Sequence, residues 1–166
     1  MLIQGTFELN DQEFSELRLN GVNVKAFSGM GRYRNKKLFQ CIKNLGPIPL
    51  GKYYIVDRSC FNSTTCKIKT TLANHRIIRQ LTGLSNYSEW FALYAEDNFI
   101  DDSVQCDSMI RGAFRLHPKG ERGISEGCIT IDSYNDFQKV RNLIKATKKR
   151  QIQGTSIMTY GTITVK

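Results

Sequence analysis

The sequence predicts a mainly β fold with one or two helices, and three observations lead to that prediction. The chain has 166 residues with 40% hydrophobic content, which suits one ordinary domain with its own core. Several short segments are rich in aromatic or β-branched residues and are separated by turn residues. One longer segment has apolar residues at helical spacing. We therefore expect residues 1–166 to form a single β-sandwich or barrel with helical additions.

Five segments are predicted as strands: VNVKAFSG, KYYIVDR, WFALYAE, AFRLH and CITI. KYYIVDR shows the period of two that is typical of a strand with one buried face. The tail SIMTYGTITVK predicts a hairpin or a bulged strand around Gly161. The segment NLGPIPLGKYY contains two prolines and two glycines, which indicates a rigid turn leading into a strand.

The clearer of two predicted helices begins after CITID. Asp132 or Ser133 can cap it, and Phe137, Val140 and Ile144 share one face. A less regular apolar stripe in TTLANHRIIRQLTG predicts a second helix that ends at its glycine.

The net charge of +9 raises the question of nucleic-acid binding. The basic clusters KAFSGMGRYRNKK and KATKKR belong to no helix-turn-helix, RRM, KH or zinc-finger pattern, so a solvated surface is favoured. Weak attraction to a polyanion, including a carboxylate-rich cell wall, stays open. The chain contains no apolar run of membrane-spanning length. Its first twenty residues carry four acids and one arginine, unlike a signal peptide, so we expect synthesis in a cytosol.

The five cysteines are Cys41, Cys60, Cys66, Cys106 and Cys128. All five could be buried thiols, the default for a cytosolic protein. Alternatively one is a working thiol and the other four pair, with Cys60 and Cys66 able to close a small ring. With no Cys-x-x-Cys pair and two histidines, a zinc site is not expected, nor is any other metal or cofactor.

The segment RLHPKGERGISEGCITI places a histidine and a cysteine at the two ends of one loop. AFRLH reads as a strand that ends at His117, and Cys128 opens the strand CITI. If the two strands are neighbours, the ten-residue loop can bring both side chains face to face. The imidazole could then form a thiolate–imidazolium pair and later donate its proton to a leaving amine. The alternative is that both residues are structural.

The SEGC turn meets a second requirement of such chemistry. Gly127 permits a backbone shape in which amide groups near Cys128 point into the site and form an oxyanion hole. Ser125 could hydrogen-bond across the turn and hold it. Because no Asp or Asn is obvious as a partner, a backbone carbonyl is the candidate for orienting the His117 ring.

HPKGERGISEGCITI resembles the active-site signature of L,D-transpeptidase (YkuD-like) enzymes, a histidine followed by Ser/Thr-x-Gly-Cys. FSGMGRYRNKKLFQCIKNLGPIPLGKYYIVDR and EDNFIDDSVQCDSMIRGAFRLHP resemble the type VI secretion L,D-transpeptidase effector family, once a domain of unknown function. Together the similar segments cover residues 27–58 and 96–132. The resemblance implies an L,D-transpeptidase-like β-sandwich.

The resemblance also implies an activity on the tetrapeptide stems of peptidoglycan. L,D-Carboxypeptidases of this kind release the terminal D-alanine through an acyl-enzyme, or exchange it for another D-amino acid. By position, Cys128 would be the nucleophile and His117 the general base and acid. Gly127 and the Cys128 amide would bind the oxyanion, and Ser125 would support the turn. Glu126 stands where typical relatives have a second histidine, and the loop is shorter, so 3-3 cross-linking is expected less than hydrolysis or exchange.

Four basic residues near the histidine are candidates for binding substrate carboxylates: Arg111, Arg115, Lys119 and Arg122. An effector of this family would be made in the cytoplasm without a signal peptide and would act in the periplasm of a target bacterium. Its implied partners are D-amino acids as acceptors, a cognate immunity protein and a component of the secretion machine, with neither nucleic acid nor membrane. The alternatives are a non-catalytic wall-binding module, a cysteine amidase or protease, and a nucleic-acid binder.

Overall fold

The computed structural model describes residues 1–58, 87–121 and 123–166. Within these ranges there are eleven strands, numbered β1 to β11 in chain order: Ile3–Phe7, Ser15–Leu19, Val22–Phe27, Gly51–Asp57, Phe91–Ala95, Ser103–Cys106, Met109–Gly112, Arg115–Pro118, Ile129–Ile131, Arg150–Gln151 and Met158–Val165. One α-helix, α1, spans Tyr134–Ala146. Three single 3₁₀ turns lie at Gly31–Tyr33, Lys37–Phe39 and Tyr87–Glu89.

Nine of the strands form one sheet in the order β1-β2-β3-β9-β8-β5-β4-β11-β10, and β1 also pairs in parallel with β11. The sheet therefore closes on itself like a barrel, and closure removes the exposed edges that an open sheet would carry. The prediction of a mainly β fold is confirmed. Of the two arrangements expected, the strands form a closed sheet rather than the sandwich that the resemblance implied.

Closure depends on a glycine in β11. Gly161 has φ +139°, and a Cβ at this position would overlap the backbone carbonyl of Ile3 in β1. The pairing of β11 with β4 shifts register between Thr159 and Gly161. The predicted bulge around Gly161 is thus confirmed, and it lies where the barrel closes.

The core is filled by alternate residues of the strands. In β1 and β2 alternate residues are buried, among them Ile3, Phe7, Leu17 and Leu19, while the residues next to them within each strand are more exposed. The sequence pattern did not reveal these two strands, because acidic and amide side chains dominate the N-terminal stretch. They complete the barrel between β11 and β3.

Helix α1 begins where the sequence predicts. The Ser133 hydroxyl accepts a hydrogen bond from the Asp136 amide, and Phe137, Val140 and Ile144 are completely buried. Burying each of these side chains contributes about 1.5–3 kcal/mol. The helix packs on β3, β8 and β9, so it supports the strand that follows Cys128 from the side of the core. The second predicted helix, like Cys60 and Cys66, lies outside the described residues.

A disulfide joins Cys41 to Cys106. Cys106 ends β6, which forms a separate two-stranded hairpin with β7, and Cys41 lies in the loop before β4. The disulfide therefore ties this loop to the hairpin. Within the described ranges, no helix is both long and apolar enough to span a membrane.

Candidate active site

Strands β8 and β9 run parallel and place the predicted catalytic pair on one face. Leu116 pairs with Ile129, and both side chains are fully buried in the core. Because side chains alternate along a strand, His117 and its partner Thr130 point to the opposite face. Cys128, directly before β9, belongs to that same face. The structure thus brings His117 and Cys128 onto neighbouring strands, two residues apart in register.

The hydrogen bonds of His117 define its tautomer. Nδ1 lies 2.8 Å from the Pro118 carbonyl oxygen, which can only accept, so Nδ1 carries the proton. Nε2 lies 3.3 Å from the Thr130 hydroxyl and is left with a lone pair. Burial, together with the cations of Arg58 and Arg115, lowers the pKa of His117 to about 4, although the hydrogen bond to the Pro118 carbonyl opposes this fall. The imidazole is therefore a neutral base oriented by a backbone carbonyl, the kind of partner that we expected.

An aromatic stack fixes the plane of this imidazole. The Trp90 ring lies over His117 with 4.2 Å between centroids and 17° between planes. Tyr87 meets Trp90 edge to face at 4.6 Å, and the Arg58 guanidinium lies 5.4 Å from the Trp90 ring. Sequence reasoning missed all three residues. The single tryptophan of the chain is a usable sign, but the sequence pattern predicts for it only a place in the strand WFALYAE.

Cys128 is the free cysteine of the described residues and is partly exposed. Its Sγ lies 3.9 Å from the Ala113 carbonyl oxygen. Burial raises the pKa of the thiol to about 11, although the Arg115 amide and cation oppose this rise. With His117 also neutral, the resting site holds a thiol and an imidazole. The thiolate–imidazolium pair that we expected is disfavoured because burial penalises both charges.

The turn before β9 is braced by side chains from two directions. The Ser125 hydroxyl donates to the Cys128 carbonyl at 2.7 Å and accepts from the Gly29 amide at 3.3 Å. Gly127 has φ +112°, and its carbonyl accepts from the Ser28 hydroxyl at 3.2 Å. Within the described ranges, no backbone carbonyl accepts from the amide of Gly127 or Cys128. Both amides are therefore without a backbone partner among the described residues.

The structure describes three of the four candidate carboxylate-binding residues, and they differ in their surroundings. Arg115 makes a two-pronged salt bridge with Asp102 at 2.6 and 2.5 Å. Lys119 pairs with Asp132 at 2.9 Å, beside the far end of β8. Arg122 lies outside the described residues. The charge of Arg115 acts on both His117 and Cys128.

Arg111 differs from the expectation, because its side chain is only 4% exposed. Its guanidinium donates to four backbone carbonyls and so has little capacity left for a substrate. The placement favours a structural role over the carboxylate contact that we expected.

A family model described as the Tlde1 domain matches residues 22–155, from β3 to β10. The chain belongs to this family. Tlde1 stands for type VI secretion L,D-transpeptidase effector 1, so the Tlde1 domain implies a type VI effector with L,D-transpeptidase activity on peptidoglycan. The matched span contains both His117 and Cys128. No curated protein and no solved structure matched the chain.

Proposed function

We propose that this Tlde1 domain is a cysteine-dependent L,D-carboxypeptidase that also exchanges D-amino acids on peptidoglycan tetrapeptide stems. Cys128 is the nucleophile in this proposal, and His117 is the general base and acid. The observation that carries it is the shared face of β8 and β9, where a free thiol and an unprotonated Nε2 lie beside a turn with two unused amides.

The reaction begins from the neutral pair. As Sγ of Cys128 attacks the carbonyl carbon of the third stem residue, the thiol proton moves to Nε2 of His117. Nε2 gives up its contact with the Thr130 hydroxyl when it takes this proton. The Pro118 carbonyl stabilises the imidazolium by accepting a hydrogen bond from Nδ1–H. The oxyanion of the tetrahedral intermediate accepts from the amides of Gly127 and Cys128.

The intermediate collapses when the C–N bond breaks and the imidazolium gives its proton to the departing D-alanine amine. A thioester then links the stem to Cys128. Water attack, with His117 again as base, releases a tripeptide stem. Attack by the amine of a D-amino acid regenerates a tetrapeptide with a new terminal residue. Because the imidazole is neutral well below pH 7, the base form is available across the whole neutral range.

The proposed place of action is the periplasm of a target bacterium, after synthesis in a cytoplasm. The disulfide between Cys41 and Cys106 supports it, because such bonds persist in oxidising compartments. The net charge of +9 suits a substrate rich in carboxylates. A cognate immunity protein and a component of the secretion machine complete the proposed set of partners.

The test compares wild type with Cys128→Ala and His117→Ala on disaccharide-tetrapeptide, with and without glycine or D-methionine, by mass spectrometry. We expect wild type, but neither of these two variants, to remove the terminal alanine or to replace it, and to show a transient thioester adduct on Cys128. Arg18→Ala is the surface control, since Arg18 is exposed on β2, a strand that borders neither β8 nor β9. This variant should retain activity.

Other outcomes would favour the alternatives. An unchanged tetrapeptide from folded wild type would favour a wall-binding module. Cleavage of ordinary L-peptides would favour an amidase or protease. DNA binding that weakens steeply with salt and ignores Cys128→Ala would favour a nucleic-acid binder.

A further inference from the structure

Arg111 is a buried cation that has no carboxylate partner among the described residues. Its guanidinium donates instead to backbone carbonyls from two separate segments. On one side these belong to Gln40, Pro47 and Gly46, the last at 3.0 Å, and on the other side to Glu126 at 3.4 Å. An arginine suits this position because its planar fork carries five donors, whereas lysine carries three on one atom.

The Glu126 contact places the guanidinium directly behind the nucleophile turn. A Cβ on Gly127 would lie 2.5 Å from Nη2 of Arg111, so the turn and the guanidinium are in close contact. Burial lowers the pKa of Arg111, and Arg111 lies close enough to Cys128 for a thiolate there to oppose that fall. The turn therefore packs against the Arg111 guanidinium at Glu126 and Gly127.

The disulfide fastens both sides of this arrangement. Cys41 follows Gln40, one of the carbonyl acceptors, and Cys106 lies in β6, which pairs with the strand that carries Arg111. The cross-link thus holds the acceptor loop against the hairpin that supplies the donor. Without the disulfide, we expect the hairpin to move relative to the loop, so that the guanidinium would be held less precisely.

We propose that Arg111 is a positioning residue that holds the Glu126–Cys128 turn in the orientation in which its amides face the oxyanion. The proposal rests on the proposed function in one respect, since it takes Cys128 as the nucleophile. Arg111 itself touches neither the thiol nor the substrate in this scheme. Its effect should therefore appear only in reactions that pass through an oxyanion.

The experiment uses two small reagents on the full chain. p-Nitrophenyl acetate transfers its acetyl group to the Cys128 thiolate through a tetrahedral oxyanion and releases p-nitrophenolate. Iodoacetamide alkylates the same sulfur by displacement of iodide, with no oxyanion. Mass spectrometry of the Cys128 peptide separates its modification from that of other cysteines.

The Arg111→Lys variant keeps the positive charge but loses the planar guanidinium that donates to several carbonyls at once. We expect acetylation to fall about a hundredfold, the effect of one misplaced oxyanion donor, while alkylation stays near the wild-type rate. The matched control is Arg34→Lys, since Arg34 is also mostly buried and donates to the Gly123 carbonyl at 3.2 Å in the same loop. Both rates should stay near wild type in the control.

Two results would overturn the proposal in a folded Arg111→Lys protein: unchanged acetylation, or an equal fall in both reactions. If this variant does not fold, the double variant Cys41→Ser/Cys106→Ser is used to test the proposal instead. There the ratio of acetylation to alkylation should fall, and an unchanged ratio would contradict the proposal. Neither reagent involves peptidoglycan, so a wild-type protein that leaves the tetrapeptide intact would refute the proposed function while these two rates still test Arg111.

Discussion

Lowering the pH from 7 to 4 should destabilise the folded protein through His117, because this imidazole is buried in its neutral form. Its pKa is about 4 in the folded protein, against an ordinary value of 6.5. Between pH 6.5 and 4, His117 therefore binds a proton in the unfolded chain but not in the folded chain, and this difference favours unfolding. The stability contributed by the neutral imidazole is complete above pH 6.5 and is lost progressively as the pH falls towards 4.

The magnitude follows from the two pKa values. One pKa unit corresponds to about 1.4 kcal/mol, so a fall from 6.5 to about 4 corresponds to about 3 kcal/mol. The side chain is only 7% exposed, so solvent screening does not reduce this figure much. A loss of this size is a large part of the 5–15 kcal/mol that stabilises a typical domain.

The assay is urea unfolding of wild type and His117→Gln at pH 7, 6, 5 and 4. Glutamine keeps a donor and an acceptor but does not titrate, and the carboxylates that also take up protons, such as Asp57, are common to both proteins. The difference between the two unfolding free energies should therefore shift by about 3 kcal/mol against wild type between pH 7 and 4. Parallel loss of stability in both proteins would refute the reasoning, as would an imidazole that titrates near 6.5 by NMR.

Three further predictions follow from the same site and its supports. The Cys128 thiolate should form only near pH 11, measured as the difference in absorbance at 240 nm between wild type and Cys128→Ser. A midpoint near pH 7 would instead indicate a thiolate–imidazolium pair in the resting site. Ser125→Ala should cost about 1–3 kcal/mol in urea unfolding, because it leaves the buried Gly29 amide and the partly buried Cys128 carbonyl without their partner, and should lower kcat more than KM. Cys41→Ser/Cys106→Ser should lose about 4 kcal/mol of unfolding free energy for a loop of 65 residues, and a reducing agent should reproduce the loss in wild type only.

Much of the fold could be predicted because its evidence is local. The strand pattern of KYYIVDR, the cap at Ser133 and the apolar face of α1 are each visible within a few residues. Strands β1 and β2 escaped prediction because their exposed residues are charged or amide-bearing and their buried face is legible only once β11 is known to lie beside it. Closure of the barrel joins residues near the two ends of the chain, and no local pattern contains that information.

The candidate site divides in the same way. The sequence by itself determined that His117 and Cys128 face the same way at neighbouring positions and that Ser125 braces the turn, because strand, loop and turn follow one another in one short segment. Only the tertiary structure decided the protonation of that pair, which burial sets through residues such as Trp90, far away along the chain. It also placed the Arg111 guanidinium among backbone carbonyls, including that of Glu126 in the turn. Burial and charge at a point in space depend on every segment packed around it, and a linear pattern shows only one of those segments.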